Sequence, residues 1–139
     1  MTQATDAELK AFIDNWQESS EKNKAIFLSY KEQLEGNKDV RLEFIPRPGI
    51  TYSLRAAHTA QKKRKLFAMI DVIEDSPRWL SVCFYVDMIT DPAERGDAVP
   101  GGLLGEDALC FDLEAWDEKL VNYVAARLDE ACQRAVQEG

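Results

Sequence analysis

The sequence has little of the chemistry that builds a metal centre or a hydrolytic triad. His58 is the only histidine among 139 residues, and Cys83, Cys110 and Cys132 are the only cysteines. No two cysteines form a CxxC pair, so the zinc-binding spacings are missing. We therefore expect no bound metal and no cofactor. Because three cysteines are an odd number and no export signal is seen, we also expect reduced thiols.

Long apolar runs are missing as well. Charged residues make up 30% of the chain, and no run reaches the roughly 20 apolar residues that a membrane helix requires. The first ten residues, MTQATDAELK, lack the basic start and apolar stretch of a secretory signal. These features predict a cytoplasmic protein without a membrane partner. The length and the 45% hydrophobic content predict a single domain over residues 1–139.

Positive charge is scarce overall but concentrated in one part of the chain. The formal charge of −8 argues against binding to nucleic acid or anionic membranes, which requires a basic surface. Seven bases and one acid lie between Arg41 and Lys65, a net +6, whereas ten acids and one base lie between Val86 and Glu118, a net −9. Solvated surfaces that maintain solubility are the simpler interpretation of both regions.

Amphipathic helices are predicted at both ends of the chain. The motif TDAE, from Thr5 to Glu8, has the spacing of a capping box, and apolar residues follow it at helical intervals. In the second segment, Ser20 is the predicted N-cap and Gly36 the C-terminal stop. The helical period returns from Trp116 onward and predicts a third helix.

Between these helices the apolar period changes to two, which predicts five strands. The alternating segments begin near Val40, Ile50, Leu66 and Arg78, and the fifth, ALCFDL, begins at Ala108. Short polar turns separate the first four segments and favour antiparallel pairing. The predicted fold is α+β: two N-terminal helices, a five-stranded, mainly antiparallel, curved meander sheet, and a C-terminal helix packed on the sheet.

Strand alternation predicts two unlike faces of the sheet. One receives aliphatic side chains from Leu66 to Leu113, Val86 among them, and is the predicted core. The other, called here the second face, receives Phe67, Met69, Trp79, Cys83, Tyr85 and Cys110. So much apolar area is normally either covered by the same chain or used to bind a second copy or a ligand. The two cysteines share this face, where we expect them to act as small buried hydrophobic side chains.

A long loop, residues 87–107, joins the last two predicted strands. Asp91 and Gly96 occupy two positions of an EF-hand loop, but two further carboxylate positions and the bidentate acid are missing. PGGLLGED also lacks the GxxxxGK[ST] pattern of a phosphate-binding loop. We predict an ordered flap over one edge of the sheet. Leu103 and Leu104 would supply its apolar contacts, and its acids would be attracted to the basic hairpin from Arg55 to Lys65.

A basic turn, HTAQKKRKL, follows the second strand. The predicted residues for binding an anion or an acidic partner are Arg55, His58, Lys62, Lys63 and Arg64. The turn has no interleaved aromatic residues, which argues against nucleic acid. A solvated hairpin tip is the simpler interpretation, and His58 has no neighbour that marks a nucleophile.

Together these features predict a non-enzymatic cytoplasmic binding or protein-interaction module that uses the second face and the 87–107 loop. Its predicted partner is a second copy of the chain, as a homodimer, or a small-molecule or protein ligand. The alternative is a small-molecule-binding enzyme with the loop as a lid over an acidic cleft. The residues available for chemistry there are Asp71, Asp87, Asp112, Cys83 and His58, but no motif assigns any of them a catalytic role.

Overall fold

Three helices pack on a six-stranded antiparallel sheet. The computed structural model describes residues 3–138, with side chains from residue 6 onward. The helices are α1 (Gln3–Asn15), α2 (Asn23–Glu35) and α3 (Glu118–Glu138). The strands are β1 (Val40–Arg47), β2 (Thr51–His58), β3 (Ala68–Ile73), β4 (Trp79–Tyr85), β5 (Asp97–Leu103) and β6 (Glu106–Leu113). The predicted α+β class is confirmed, but the predicted count of five strands is wrong.

The additional strand is β5, which lies inside the segment predicted to be a loop. The strand order is β1-β2-β3-β4-β6-β5, so the meander runs only from β1 to β4. β6 then pairs with β4, and β5 pairs with the outer side of β6. At the edge of the sheet β5 tolerates Pro100, because an edge strand can leave a backbone position without a hydrogen bond.

One face of the sheet is the core, and all three helices cover it. Phe12 of α1 stacks on Tyr52 of β2, with ring centroids 4.5 Å apart. Tyr123 of α3 packs against Phe111 of β6 at 6.0 Å. The Tyr30 hydroxyl of α2 donates a 2.9 Å hydrogen bond to a carbonyl of α3, and its burial raises the pKa of that phenol. The helices therefore form one layer on the sheet.

The strand register confirms the predicted division between faces in β3, β4 and β6. Ile70, Val82 and Phe111 are aligned across these strands on the core face. The prediction fails at the end of β4, which stops at Tyr85. Val86 is consequently 41% exposed instead of lying in the core.

Gly36 is the C-cap of α2, as predicted, but both predicted N-terminal caps are wrong. α1 already includes Gln3, so Thr5 lies inside the helix and not at its N-cap. α2 begins three residues after Ser20, and its first turn is instead capped by the Glu18 carboxylate, which accepts hydrogen bonds from the N–H groups of Lys24 and Ala25. An acid at this end also suits the helix dipole.

Across residues 3–138, every helix is too short or too polar to cross a lipid bilayer.

Candidate functional site

The second face of the sheet carries a polar row across four adjacent strands. Register places Ser53 beside Asp71, Asp71 beside Ser81, and Ser81 beside Asp112. Within the described residues, no helix packs on this face. Ser53 is buried, Asp71 and Ser81 are half-buried, and Asp112 is exposed.

The predicted apolar residues share this face, but they differ in exposure. Phe67 and Tyr85 are enclosed by the chain itself, at 0% and 2% exposure. Met69 and Trp79 are half-buried and retain accessible surface. The Trp79 indole Nε1 donates a 3.2 Å hydrogen bond to the carboxylate of Asp75. The apolar surface available for binding is therefore smaller than the sequence suggests.

Cys83 and Cys110 form a disulfide bond in the centre of the second face. They are directly opposed in β4 and β6, with their Cα atoms 4.1 Å apart. The expectation of reduced thiols is thus wrong for this pair, although the predicted proximity is confirmed. Cys132 is a free thiol whose pKa is raised by burial and by Asp129.

The tip of the β5–β6 hairpin folds over one end of the second face. Leu103 is fully buried, whereas Leu104 is 53% exposed. Leu104 nevertheless borders a cavity together with Arg55 of β2, which lies three strands from β6. The hairpin tip therefore crosses the ends of β4 and β3. The segment predicted to be a flap is a paired edge strand with a folded-over tip.

The first part of the 87–107 segment turns around a carboxylate. Asp91 accepts hydrogen bonds from the N–H groups of Arg95 (3.0 Å) and Gly96 (2.9 Å). The hydroxyl of Tyr123 in α3 donates to the same carboxylate. Thus Asp91 stabilises the turn before β5 without contacting the basic hairpin.

Arg64 connects the hairpin tip to both the sheet and α3. Its guanidinium lies 2.9 Å from carboxylates of Asp87 and Glu106 and 2.8 Å from Glu138. The same group covers the ring of Tyr85, 4.2 Å from the centroid. Hydrogen bonding to Glu106 is the main reason that the pKa of Arg64 is raised. The guanidinium of Arg64 is already paired with three carboxylates, so it is not free to bind an external anion.

The other predicted basic residues are dispersed. Lys62 and Lys63 are exposed in the connection between β2 and β3. The His58 Nδ1 accepts a 3.0 Å hydrogen bond from the N–H of Ala60, which uses one ring nitrogen within the turn. Arg55 alone lies on the second face, where its Nε donates to the Ser53 hydroxyl at 3.3 Å.

Charge on the second face is separated between its two sides. The basic edge consists of Arg41, Arg47 and Arg55 on β1 and β2, with Glu43 among them. The acidic edge consists of Asp97, Asp112 and Glu114, on and next to β5 and β6. Sequence reasoning found the net charges of both regions, but only the strand order shows that they occupy opposite sides of one face.

The carboxyl groups of the polar row are electrostatically perturbed. Burial raises the pKa of Asp71, and Ser53, Arg55 and Arg47 act in the opposite direction. Asp112 is exposed, but the surrounding sheet partly desolvates its carboxylate; this partial desolvation is the first cause of its raised pKa, and repulsion from Asp97 and Glu114 follows. The acidic edge is therefore a surface on which a nearby cation would relieve repulsion.

Within residues 3–138, no three His, Cys, Asp or Glu side chains are grouped so that they could hold a metal ion. No family model, curated protein or solved structure matches the chain.

Proposed function

We propose that this protein is a non-enzymatic binding module whose second face associates with a second copy of the chain. The separation of charge between the basic and acidic edges supports this proposal. A face with both charges on opposite sides is complementary to itself, and such complementarity favours one orientation of association over others.

The strand order specifies how the two copies would be arranged. β2 and β6 are three strand intervals apart, which corresponds to about 14 Å. A two-fold axis that runs parallel to the strands, between β3 and β4, brings the basic edge of each copy opposite the acidic edge of its partner. An axis perpendicular to the strands brings like edges together and is disfavoured.

The size of the face implies weak association. Five intervals of about 4.8 Å between the six strands, and seven residues per strand at about 3.3 Å each, give roughly 550 Å² per copy. A standard stable interface buries about 800 Å² per partner. Met69, Ile73 and Trp79 supply the apolar centre, and we expect a dimer that forms at micromolar or higher concentration.

Charge reversal at the two edges tests this arrangement. Arg47→Glu with Arg55→Glu makes both sides acidic, and Asp112→Lys with Glu114→Lys makes both sides basic. Each variant alone should be monomeric in sedimentation at concentrations where the unmodified protein dimerises. An equimolar mixture should form a heterodimer, because opposite charges then meet on both sides. Lys119→Glu, on the helical layer, is the control and should not change association.

Two results would overturn the proposal. One is an unmodified protein that stays monomeric at high micromolar concentration. The other is a dimer that all three variants leave intact, since that dimer would use another surface.

An enzyme remains the alternative function, and the raised pKa values of Asp71 and Asp112 on either side of Ser81 favour it. Two observations weigh against it. The segment expected to act as a lid is a paired strand, and His58 lies at the end of β2 with its Nδ1 engaged. Binding is therefore the function that we propose.

A cytoplasmic location belongs to the proposal, but the disulfide between Cys83 and Cys110 is more typical of an oxidising compartment. Thiol counting under alkylation, on protein isolated from cytoplasm, reports the redox state of the pair there. One free thiol per chain would mean that the disulfide persists in cytoplasm, and three would mean that Cys83 and Cys110 are reduced there.

A further inference from the structure

The folded-over hairpin tip helps to enclose a second, smaller site. A cavity of about 210 Å³ is lined by Arg41, Leu42, Glu43, Arg55, Ala56, Ala57, Lys65, Leu66 and Leu104. The cavity therefore depends on the turn between β5 and β6 as well as on β1, β2 and the basic connection. Its residues come from parts of the chain that are far apart in sequence.

The cavity combines an apolar wall with a cationic rim. Leu104 is 53% exposed and Ala57 is half-buried, so both present apolar surface to the cavity, whereas the strand register places Leu42 and Ala56 on the core face. The rim carries three cations, Arg41, Arg55 and Lys65, against the single acid Glu43. This gives the lining a net charge of +2 in a protein whose overall charge is −8.

The rim cations are available to a ligand. Among the ion pairs of the described residues, none involves Arg41, Arg55 or Lys65. Arg64, in the same connection, has three carboxylate partners instead. The structure thus separates a cation that stabilises the fold from three that converge on a cavity.

We infer that this cavity binds a small amphipathic carboxylate. The apolar wall of Ala57 and Leu104 selects a ligand with an apolar body, and guanidinium and ammonium groups at the rim select an anionic head. At about 30 Å³ per water-sized group, the volume admits about seven non-hydrogen atoms. A short-chain carboxylate has this size, whereas a drug-sized ligand requires a larger pocket.

Hexanoate is a suitable probe, with binding followed through backbone amide resonances in solution. We expect saturable shifts centred on Lys65, Leu66 and Leu104, with millimolar affinity as is usual for so small a ligand. Hexanol has the same body without the charge, and inorganic phosphate has charge without the body. Both should bind more weakly than hexanoate.

Removal of the rim charge should weaken hexanoate binding. The double variant Arg41→Gln with Lys65→Gln should lose about tenfold in affinity, since it removes two charge-assisted contacts. Lys62→Gln lies in the same connection but does not line the cavity, and it should bind like the unmodified protein. Unchanged resonances in α2 and α3 would show that the variants are folded.

The inference is wrong if hexanoate gives no saturable shifts, or if the double variant and the Lys62→Gln control bind it equally. It is also wrong if phosphate binds as well as hexanoate, because the apolar wall would then contribute nothing to binding. Arg41 and Arg55 also belong to the basic edge, so each binding measurement is paired with sedimentation of the same sample. Failure of dimerisation leaves hexanoate binding testable on the monomer, and failure of hexanoate binding leaves the charge-reversal test unaffected.

Discussion

Replacement of Arg64 should destabilise the protein more than replacement of any neighbouring basic residue. Its side chain is only 9% exposed, and it pairs with Glu138, which is 13% exposed. Asp87 and Glu106 are much more accessible, at 56% and 49%. Most of the stabilisation should therefore come from Glu138 and from the contact with the Tyr85 ring.

Three kinds of contact set the loss of unfolding free energy when Arg64 is replaced. A charge-assisted hydrogen bond in a sheltered position contributes about 1.5 to 3 kcal/mol. The two accessible pairs add about 1 kcal/mol together, and the contact with the ring adds about 0.5 to 1 kcal/mol. Arg64→Met preserves the length and apolar stem of the side chain, so only these contacts are lost, and the expected loss of unfolding free energy is about 3 to 5 kcal/mol.

Urea unfolding at neutral pH and low salt measures this loss, with Lys62→Met as the control in the same connection. The control should change the free energy of unfolding by less than about 0.5 kcal/mol, as exposed substitutions usually do. A double-mutant cycle with Glu138→Gln should show a coupling energy of at least 1 kcal/mol. Equal small losses for Arg64→Met and Lys62→Met would refute the reasoning. Solvent screening would then have removed the contribution of the Arg64 contacts to the free energy of unfolding.

Three further predictions concern the β5–β6 hairpin and the polar row. Leu103→Ala should cost about 2 to 4 kcal/mol in unfolding free energy and Leu104→Ala less than about 1 kcal/mol, since only Leu103 is fully buried; equal losses in urea would contradict this. Asp91→Ala should speed proteolysis of the 90–96 turn, because it removes three hydrogen bonds, whereas the exposed Glu94→Ala should not. Burial raises the pKa of Asp71, so the folded state binds this proton more tightly than the unfolded chain. That contribution is fully present below the ordinary value of 3.8 and is lost as pH rises through the folded-state pKa. Asp71→Asn should accordingly be more stable than the unmodified protein at neutral pH and equally stable below pH 3.8; a pH-independent difference would contradict this.

The elements with strong alternation could be predicted from the sequence. Residues of β3, β4 and β6 alternate between the two faces as expected, because one face of each strand must be buried. β5 could not be predicted in this way. Its sequence, DAVPGGL, contains one proline and two glycines, and its strand geometry comes from pairing with β6 and not from local preference.

Contacts between distant residues explain the remaining failures. Thr5 and Ser20 have the right residue types for caps, but α1 begins earlier, and Glu18 caps α2 from outside the motif. The partners of Arg64 are 23, 42 and 74 residues away, so its sequence neighbours give no indication of its role.

The redox state of the cysteines could not be predicted from the strand pattern. Parity correctly places Cys83 and Cys110 side by side, but the expected compartment led to the wrong redox state. The direction of a side chain is a local property of a strand, whereas its oxidation state depends on its surroundings as well.

The disulfide also changes the result of proteolysis within the 87–107 segment. Residues 83 and 110 are joined across a separation of 27 residues, so the covalent chain contains a closed ring that includes β5 and the turn around Asp91. A protease that cuts once between Thr90 and Gly105 opens this ring without separating the protein into two molecules. Both fragments would stay together on a non-reducing gel and separate only after a reductant is added. A nicked molecule can thus keep its mass and its sheet, and loss of the full-length band will report cleavage only under reducing conditions.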